Sequence, residues 1–230
     1  MNDNSSITLH SMSEAKWYNQ WLLNQFKLYL RGDILEVGCG IGNFTELLAD
    51  YGKVWALDIS DKYIKFTRQK LNGKATVGIG DIEKGKYFFE DQKFDSIVCL
   101  NVLEHIKNDQ AALYNLLKLL KKNGKLILLI PAHQFLYGKI DRSIDHFRRY
   151  SKKEIIKEME KIGFRINKSR RFNILGALGW FIAGRIIKDT KVSRGNIRLF
   201  NLLAPVFLRL EKLLEPPVGI SILIIAQKND

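Results

Sequence analysis

The sequence has few of the features that mark secreted, membrane-spanning or disulfide-stabilised proteins. Its 230 residues include only two cysteines, Cys39 and Cys99, and both lie in apolar stretches. This usage excludes a disulfide framework and metal-type cysteine spacing, and it favours a reducing, cytoplasmic setting. The first 13 residues are polar, so no secretory signal is expected. The longest apolar stretch, 172–187, contains Arg185 and is shorter than a membrane-spanning helix.

Negative charge is scarce in the second half of the chain. Residues 1–130 hold 17 Lys and Arg against 15 Asp and Glu, whereas residues 131–230 hold 20 against 9. The basic half is therefore expected either to face an anionic partner or to be simply solvated. With 46% hydrophobic residues, the chain can bury the core of one domain.

A predicted buried strand runs into a glycine turn near the start of the chain. Gly38, Gly40 and Gly42 stand at alternate positions. Glycine tolerates positive φ and lets a ligand approach the backbone, so the turn indicates a ligand lying across it. Asn43 and Glu46 are predicted to form a capping box that begins the next helix, whose free N–H groups face the same ligand.

The spacing of this turn departs from the dinucleotide fingerprint G-x-G-x-x-G, because Asn43 occupies the third glycine position. The pattern Glu36-x-Gly38-x-Gly40-x-Gly42 instead resembles the first motif of the class I S-adenosylmethionine (SAM) dependent methyltransferases. The resemblance implies a Rossmann-like fold with SAM as cofactor. The residues that it assigns to the cofactor here are Glu36, Gly38, Cys39, Gly40 and Gly42.

The second predicted strand, residues 53–57, ends at Asp58, twenty residues beyond Gly38. A carboxylate at this place can accept hydrogen bonds from both ribose hydroxyls of a nucleotide. Ser60 is better placed than Asp58 to cap the helix that follows. Asp58 and the neighbouring Ile59 are therefore assigned to the cofactor.

A third predicted strand, residues 75–80, ends at Asp81 and Ile82. The resemblance implies that Asp81 receives the exocyclic amine of adenine and that Ile82 covers the ring. An aspartate in a turn is also ordinary loop chemistry, and both interpretations stay open.

The fourth predicted strand, residues 94–100, leads into Asn101-Val102-Leu103-Glu104-His105. Its Phe-Asp-x-Ile-Val…Leu-Glu-His pattern again resembles class I methyltransferases, and this implies that Asn101 and Val102 adjoin the methyl donor. A helix over 109–122 is expected to end at Gly124. The fifth strand, 125–130, leads to His133.

Beyond His133, the sequence predicts a loop, a helix and the last two strands. Residues 134–150 are predicted to be a loop, and its Asp-His-Phe-Arg-Arg-Tyr resembles a stretch of methyltransferases encoded with bacterial glycosyltransferases. Ser151 and Glu154 suggest a capping box for a helix that ends at Gly163. Strands are predicted over 164–169 and 221–226.

These elements predict one α/β domain over residues 1–230 with a doubly wound, seven-stranded sheet. Its parts are an N-terminal helix (13–30), a SAM-binding core (31–170), a helical insertion (172–218) and a final strand (219–228). The insertion between the last two strands is expected to set substrate choice. Aromatic residues at helical spacing in the N-terminal helix either pack on the sheet or cover the cofactor.

The candidate catalytic residues are His133 and His105 as bases, with Glu104 as an orienting or basic partner. A structural role for a lone histidine is the alternative. Glu104, His105 and either His133 or His146 also resemble the metal site of RNA 2′-O-methyltransferases with a Glu-x-x-Glu-His motif. Asn101 stands where that motif has its first glutamate, so the sequence predicts no metal.

Three functional hypotheses follow. The first is methylation, mainly at oxygen, of a small-molecule or lipid-linked acceptor. The second is a nucleic-acid methyltransferase, whose phosphate contacts would be Arg148, Arg149, Lys168, Arg170 and Arg171. It is weakened because no Asn/Asp-Pro-Pro-Tyr or Pro-Cys motif follows the fourth strand. The third is a SAM-binding regulatory module without turnover.

The insertion also predicts peripheral contact with an anionic membrane, at its cytoplasmic face. Apolar helical stretches over 172–187 and 197–214 coincide with basic side chains, as in interfacial helices. The alternative is a helical lid that buries its apolar face on the domain. The basic residues concerned are Arg185, Lys188, Lys191, Arg194, Arg198, Arg209 and Lys212.

Overall fold

The predicted α/β architecture is confirmed by a computed structural model that describes residues 16–187, 204–209, 211 and 215–229. Seven strands form one sheet in the order β3-β2-β1-β4-β5-β7-β6. Strand β7 runs antiparallel to both neighbours, and the other paired strands are parallel. The strands are β1 (Asp33–Val37), β2 (Lys53–Asp58), β3 (Thr76–Ile79), β4 (Phe94–Leu100), β5 (Leu120–Pro131), β6 (Phe164–Phe172) and β7 (Ser221–Lys228).

Helices cover both faces of this sheet. They are α1 (Lys16–Phe26), α2 (Asn43–Leu48), α3 (Asp61–Leu71), α4 (Asp109–Leu119), α5 (Lys139–Ser143), α6 (Lys152–Ile162) and α7 (Ile174–Phe181). A π-helix, Ile182–Ile186, continues α7, and residues 204–209 are also helical. No helix in the described part of the chain is both long and apolar enough to cross a bilayer.

Side chains that alternate along the strands build a core on each face of the sheet. In β1, Leu35 packs in a core that includes residues of α4 and α6, whereas Ile34 packs in a second core that includes residues of α1. Successive strand residues point to opposite faces, so a strand covered on both sides needs a continuous apolar sequence. The continuous apolar runs of the sequence therefore form the middle of the sheet.

The predicted N-terminal helix is present from Lys16 onward, and residues 13–15 lie outside the described part. Its aromatic stripe packs on the sheet: Tyr18, Trp21 and Phe26 are buried in the second core. The Ser60 cap is confirmed, since the backbone N–H of Tyr63 donates to its hydroxyl oxygen.

Two predicted helix caps are wrong. Asn43 is the first residue of α2, and the capping position belongs to Gly42, whose φ is +74°. The Asn43 side chain instead accepts a hydrogen bond from Lys70 Nζ. Ser151 does precede α6, but its side chain makes no capping bond. The end of this helix is as predicted, with Gly163 in the left-handed region.

Three predicted boundaries also change. Helix α4 ends at Leu119, because Leu120 already pairs with Phe94 at the start of β5, before an irregularity in the ladder. The segment 134–150 contains the short helix α5 as well as loop. Strand β6 continues to Phe172, which pairs with Ser221, so the insertion begins after it.

Part of the predicted insertion lies outside the described residues. This applies to most of the helix predicted over 197–214. The basic residues concerned are Lys188, Lys191, Arg194, Arg198 and Lys212. Arg185 and Arg209 are described, and both are exposed.

Candidate active site

The glycine turn lies at the carboxyl end of β1 and is closed by the end of β2. Gly38, Gly40 and Gly42 all have positive φ, of 74°, 51° and 74°. The backbone N–H of Gly40 donates to one oxygen of Asp58 at 2.9 Å, and that of Ser60 donates to the other at 2.9 Å. Asp58 therefore fixes the shape of the turn, and its carboxylate retains capacity to accept a hydrogen bond from a ligand.

Close packing explains why the turn needs glycine. A Cβ atom on Gly38 would lie 2.4 Å from a methyl carbon of Val102. One on Gly42 would lie 2.8 Å from a methyl carbon of Thr67. The turn thus touches both the segment after β4 and helix α3, and it brings Val102 beside the first motif.

Burial sets the electrostatics of this side of the site. It raises the pKa of Glu36 to about 8, although a hydrogen bond from the Thr45 hydroxyl opposes this rise. Burial likewise raises the pKa of Asp58, although three backbone N–H groups oppose the shift. The Cys39 thiol is buried beside both carboxyls, and burial raises its pKa.

The apolar residues assigned to the cofactor differ in their exposure. Ile59 is 71% exposed, an unusual position for a large apolar side chain that adjoins Asp58. Ile82 is only 4% exposed and packs in the first core. Asp81 accepts a hydrogen bond from the Lys84 backbone and pairs with its ammonium group at 2.9 Å. Ile59 thus offers the larger apolar surface.

Left-handed backbone occurs where β4 and β5 end. Asn101, directly after β4, has φ of 53°, and His133, two residues after β5, has φ of 60°. Such conformations are uncommon for residues other than glycine and cluster at functional sites. Because β1, β4 and β5 are parallel, Asn101 and His133 lie at the same edge of the sheet as the glycine turn.

His133 lies at an open groove of about 630 Å³. Its Nε2 atom is buried and makes no hydrogen bond to any described residue. Burial, together with Arg171 and Arg149, holds the pKa of His133 below its ordinary value of 6.5. The groove is lined by His133, Gln134, Phe135, Ser151, Lys152, Lys153, Ile156 and Arg171.

The Asp-His-Phe-Arg-Arg-Tyr stretch is fastened to the segment after β4. The Phe147 backbone N–H donates to the Glu104 carbonyl oxygen at 2.8 Å. The Tyr150 hydroxyl lies 3.1 Å from the Leu103 carbonyl oxygen and 3.0 Å from Asp109 Oδ2. This stretch thereby holds the Leu-Glu-His segment against the loop that follows β5.

The fastening brings His105 and His146 together, although forty-one positions separate them in sequence. Their ring centres are 4.7 Å apart and the rings are nearly perpendicular. Glu104 lies beside them, fully buried, and His146 Nε2 is 3.8 Å from its Oε1 atom. Burial raises the pKa of Glu104 to about 7 and lowers that of His105 to about 4. His133 is not part of this cluster.

Asp141 holds His146 in place through a hydrogen bond, a role that sequence reasoning did not assign to it. It accepts hydrogen bonds from His146 Nδ1 at 3.0 Å, Arg149 Nε at 2.7 Å and Trp180 Nε1 at 3.0 Å. Although burial raises the pKa of this carboxyl, these bonds bring it down to about 2. Trp180 belongs to α7, within the insertion that was expected to set substrate choice, but no sequence signal pointed to Trp180 itself.

Comparison with known proteins agrees with this fold. Residues 35–128 match the family described as a methyltransferase domain. An uncharacterized protein of Methanocaldococcus jannaschii is 33% identical over 58% of this chain and 55% of its own length. The mitochondrial ubiquinone biosynthesis O-methyltransferase of Schizosaccharomyces pombe is 28% identical over 55% and 48%. The chain thus spans about half the length of these curated relatives.

The fold is shared with solved methyltransferase structures. A SAM-dependent methyltransferase from Archaeoglobus fulgidus superposes with a TM-score of 0.60 over 93% of this chain and 94% of its own, at 24% identity. Fold and glycine turn define a Rossmann-like domain of the methyltransferase type. The matched segment, residues 35–128, is similar to the class I SAM-dependent methyltransferases, whose fold this domain shares.

Proposed function

We propose that this protein transfers the methyl group of SAM to an oxygen atom of a small-molecule or lipid-linked acceptor. The observation that carries the proposal is the glycine turn closed by Asp58 at the carboxyl edge of a parallel sheet. Ligands of open α/β sheets bind at this edge. SAM fits there because the three glycines of the turn hold positive φ at the end of β1, and because Ile59 leaves an exposed apolar side chain beside Asp58.

Each residue has a distinct task in this proposal. Asp58 accepts hydrogen bonds from the ribose hydroxyls, Ile59 covers the adenine, and Asn101 and Val102 line the place of the reacting methyl group. Bound SAM supplies an electrophilic methyl group on a sulfonium. His133 takes the proton of the attacking hydroxyl, for which its neutral form is required. Positioning and exclusion of water supply the rest of the acceleration.

The basic residues that could have followed a nucleic-acid backbone are largely engaged within the protein. Arg149 is buried on Asp141, and Arg148 pairs with Asp109 at 2.8 Å. Arg171 pairs with Glu215 at 3.0 Å. Charges neutralised in this way are poor phosphate ligands. The pairing therefore supports a small acceptor over RNA or DNA.

A lipid-linked acceptor is supported by the outer face of α7 and the π-helix. Ala177 and Ala183 are buried, while a stripe at helical spacing is exposed. Beside the stripe, the exposed Arg185 can contact anionic lipid, and such residues contribute about 1 kcal/mol each. We propose that this stripe rests on the cytoplasmic face of a membrane. It consists of Ile174, Leu178, Phe181, Ile182 and Ile186.

Calorimetry with SAM tests the cofactor. We expect Asp58→Ala to weaken SAM binding by roughly 1.5 to 3 kcal/mol, the scale of hydrogen bonds to a charged group. Because Asp58 also shapes the glycine turn, Asp58→Asn is the milder companion variant. Unchanged SAM affinity in Asp58→Ala, or tighter binding of NAD than of SAM by the native protein, would refute the assignment.

The acceptor is sought by incubating the protein with isotope-labelled SAM and extracts divided into lipid, RNA and small-molecule fractions. Mass spectrometry should find the labelled methyl group in the lipid or small-molecule fraction. Label confined to RNA would support the nucleic-acid alternative. SAM binding without labelled product in any fraction would favour a regulatory module.

Vesicle sedimentation tests the membrane face. The protein should sediment with phosphatidylglycerol vesicles at low salt and less so at high salt, because surface charges are screened. Leu178→Glu with Ile186→Glu should abolish binding, and Arg185→Gln with Arg209→Gln should weaken it. Leu28→Glu is the matched control, since Leu28 is exposed but lies outside the stripe. Absence of binding at low salt would favour a lid.

A further inference from the structure

Three side chains that can act as metal ligands converge where the segment after β4 meets the loop before α6. One ligand atom from each of Glu104, His105 and His146 lies within 4.8 Å of the other two. His146 Nε2 and Glu104 Oε1 are 3.8 Å apart, beyond hydrogen-bond distance. Two ligands of a tetrahedral metal with bonds of about 2.0 to 2.1 Å lie roughly 3.4 Å apart. The spacing of this pair is close to that value.

Both histidines are oriented through Nδ1 by oxygen atoms. His146 Nδ1 lies 3.0 Å from Asp141 Oδ1, and His105 Nδ1 lies 3.3 Å from the Asp145 carbonyl oxygen. A carbonyl oxygen and an ionised carboxylate can only accept, so each Nδ1 carries a proton, and in the neutral form of each ring Nε2 is the nitrogen with a lone pair. Metal-binding histidines are held in this manner, with the second nitrogen bonded to a carboxylate or a carbonyl.

Glu104 lacks the partners that a buried carboxylate needs. It is 0% exposed, and neither of its side-chain oxygens has a hydrogen bond to a described residue. An unsatisfied buried carboxylate is costly, and burial of charge is usually compensated by pairing or by a metal. Arg149 is close but gives its hydrogen bonds to Asp141 and the Ala132 carbonyl oxygen. The Glu104 oxygens are therefore left for another ligand.

We propose that Glu104, His105 and His146 bind one divalent transition-metal ion of the Zn²⁺ or Fe²⁺ class. Two imidazoles and one carboxylate suit these borderline ions, and such sets keep positions open for other ligands. The sequence argued against a metal because Asn101 removes an anionic oxygen ligand, which matters for hard cations such as Mg²⁺. The geometry selects a softer ion that does not need that ligand.

A metal at this place has a chemical use in methyl transfer. His105 is partly exposed, so an outside oxygen ligand can approach the cluster. A metal lowers the pKa of a hydroxyl bound to it and orients it for attack. This use rests on the proposed function, whereas binding of the ion does not.

The test is titration of metal-free protein, prepared without a histidine tag, with ZnCl₂ and with MgCl₂ by calorimetry. Native protein should bind one Zn²⁺ and show no comparable heat with MgCl₂. Glu104→Gln and His146→Gln should each weaken Zn²⁺ binding at least tenfold, with circular dichroism confirming that they fold. His133→Gln is the matched control and should bind Zn²⁺ as the native protein does.

A second measurement keeps the test valid if these variants do not fold. Native protein loaded with Co²⁺ should develop visible absorption typical of nitrogen ligation, and ZnCl₂ should abolish it. The proposal is overturned by absence of Zn²⁺ binding, by equal affinity in native protein and both variants, or by preference for Mg²⁺. Because no readout depends on activity, failure here leaves the methyltransferase proposal intact, and the reverse also holds.

Discussion

The cofactor side and the acceptor side of the candidate site are assembled from contacts of different range. At the glycine turn, Gly40 bonds Asp58 across 18 residues, and Glu36 bonds Thr45 across 9. At the acceptor side, His105 meets Asp145 across 40 residues, and Tyr150 meets Leu103 across 47. A local site can be recognised from spacing, whereas a site built across the sheet edge depends on the whole fold.

The two sides also differ in whether all of their buried carboxyl groups accept hydrogen bonds. Asp58 and Glu36 accept hydrogen bonds from close neighbours in sequence. On the acceptor side, Asp141 accepts hydrogen bonds from three side chains, while Glu104 receives none from the described residues. The cofactor side is thus complete by itself, and the acceptor side is arranged around an unsatisfied group. Four experiments sharpen this contrast.

The largest expected effect concerns catalysis on the acceptor side. His133→Ala should lower kcat by roughly 10² to 10⁴ with SAM affinity intact, the usual contribution of a general base. Because the pKa of His133 lies below 6.5, native activity should persist at pH 6.5 and fall in more acidic solution. A folded variant with native turnover, measured on the acceptor found in extracts, would remove this role from His133.

A large effect on stability is expected at the glycine turn. Gly38→Ala should lower the free energy of unfolding by about 2 to 4 kcal/mol, from left-handed strain plus the clash with Val102. Gly73→Ala is the matched control, because Gly73 has φ of +86° and no atom near its would-be Cβ. It should cost only roughly 1 to 2 kcal/mol. Equal losses in denaturant titrations would show that close packing is unimportant.

The buried Glu36 makes stability depend on pH. Its pKa is about 8 in the folded protein and 4.5 ordinarily, so between these values the folded state binds more protons than the unfolded state. The free energy of unfolding should therefore fall as pH rises, by about 1 to 3 kcal/mol from pH 5 to pH 8. Glu36→Gln should flatten this slope relative to native protein, whereas Glu46→Gln, at an exposed carboxylate, should not.

The smallest expected effect is at the hydrogen bonds that the Tyr150 hydroxyl makes on the acceptor side. Tyr150→Phe removes a hydroxyl bonded near Leu103 and Asp109, and it should cost about 1 kcal/mol because Arg148 still pairs with Asp109. Tyr114→Phe, at a half-exposed tyrosine, should be neutral. If Tyr150→Phe also weakens Zn²⁺ binding, the hydrogen bonds of this hydroxyl help to position Glu104. Unchanged stability would mean that the hydroxyl contributes little to folding.

Sequence patterns determined most of the secondary structure of the sheet. Apolar runs located the central strands, because a strand that is covered on both faces is apolar at every position. The edge strand β6 has no such run, and it was placed by the helix end at Gly163 that precedes it. The glycine turn and Asp58 could be recognised because they lie close together in sequence and because the turn requires positive φ, which glycine adopts readily. Ser60 and Gly163 were correct as helix cap and helix end for the same reason.

Local signals failed where a tertiary contact competed with them. Asn43 has the right residue type for a cap, yet Gly42 takes that position and Lys70 takes the Asn43 side chain. The helix predicted to reach residue 122 ends at Leu119, because Leu120 pairs with Phe94 in the sheet. Hydrogen bonds to a neighbouring strand outweigh a modest helix propensity.

The sequence by itself determined the fold class and pointed to the methyltransferase domain that residues 35–128 match, because those depend on periodicity and on short spacings. Only the tertiary structure decided which histidines meet. His146 joins Glu104 and His105, and His133 stands apart at its own groove. Their sequence separations carry no such information, since the meeting depends on the Phe147 and Tyr150 hydrogen bonds and on Asp141 behind the ring. Long-range polar contacts of this kind exist only once the sheet has formed.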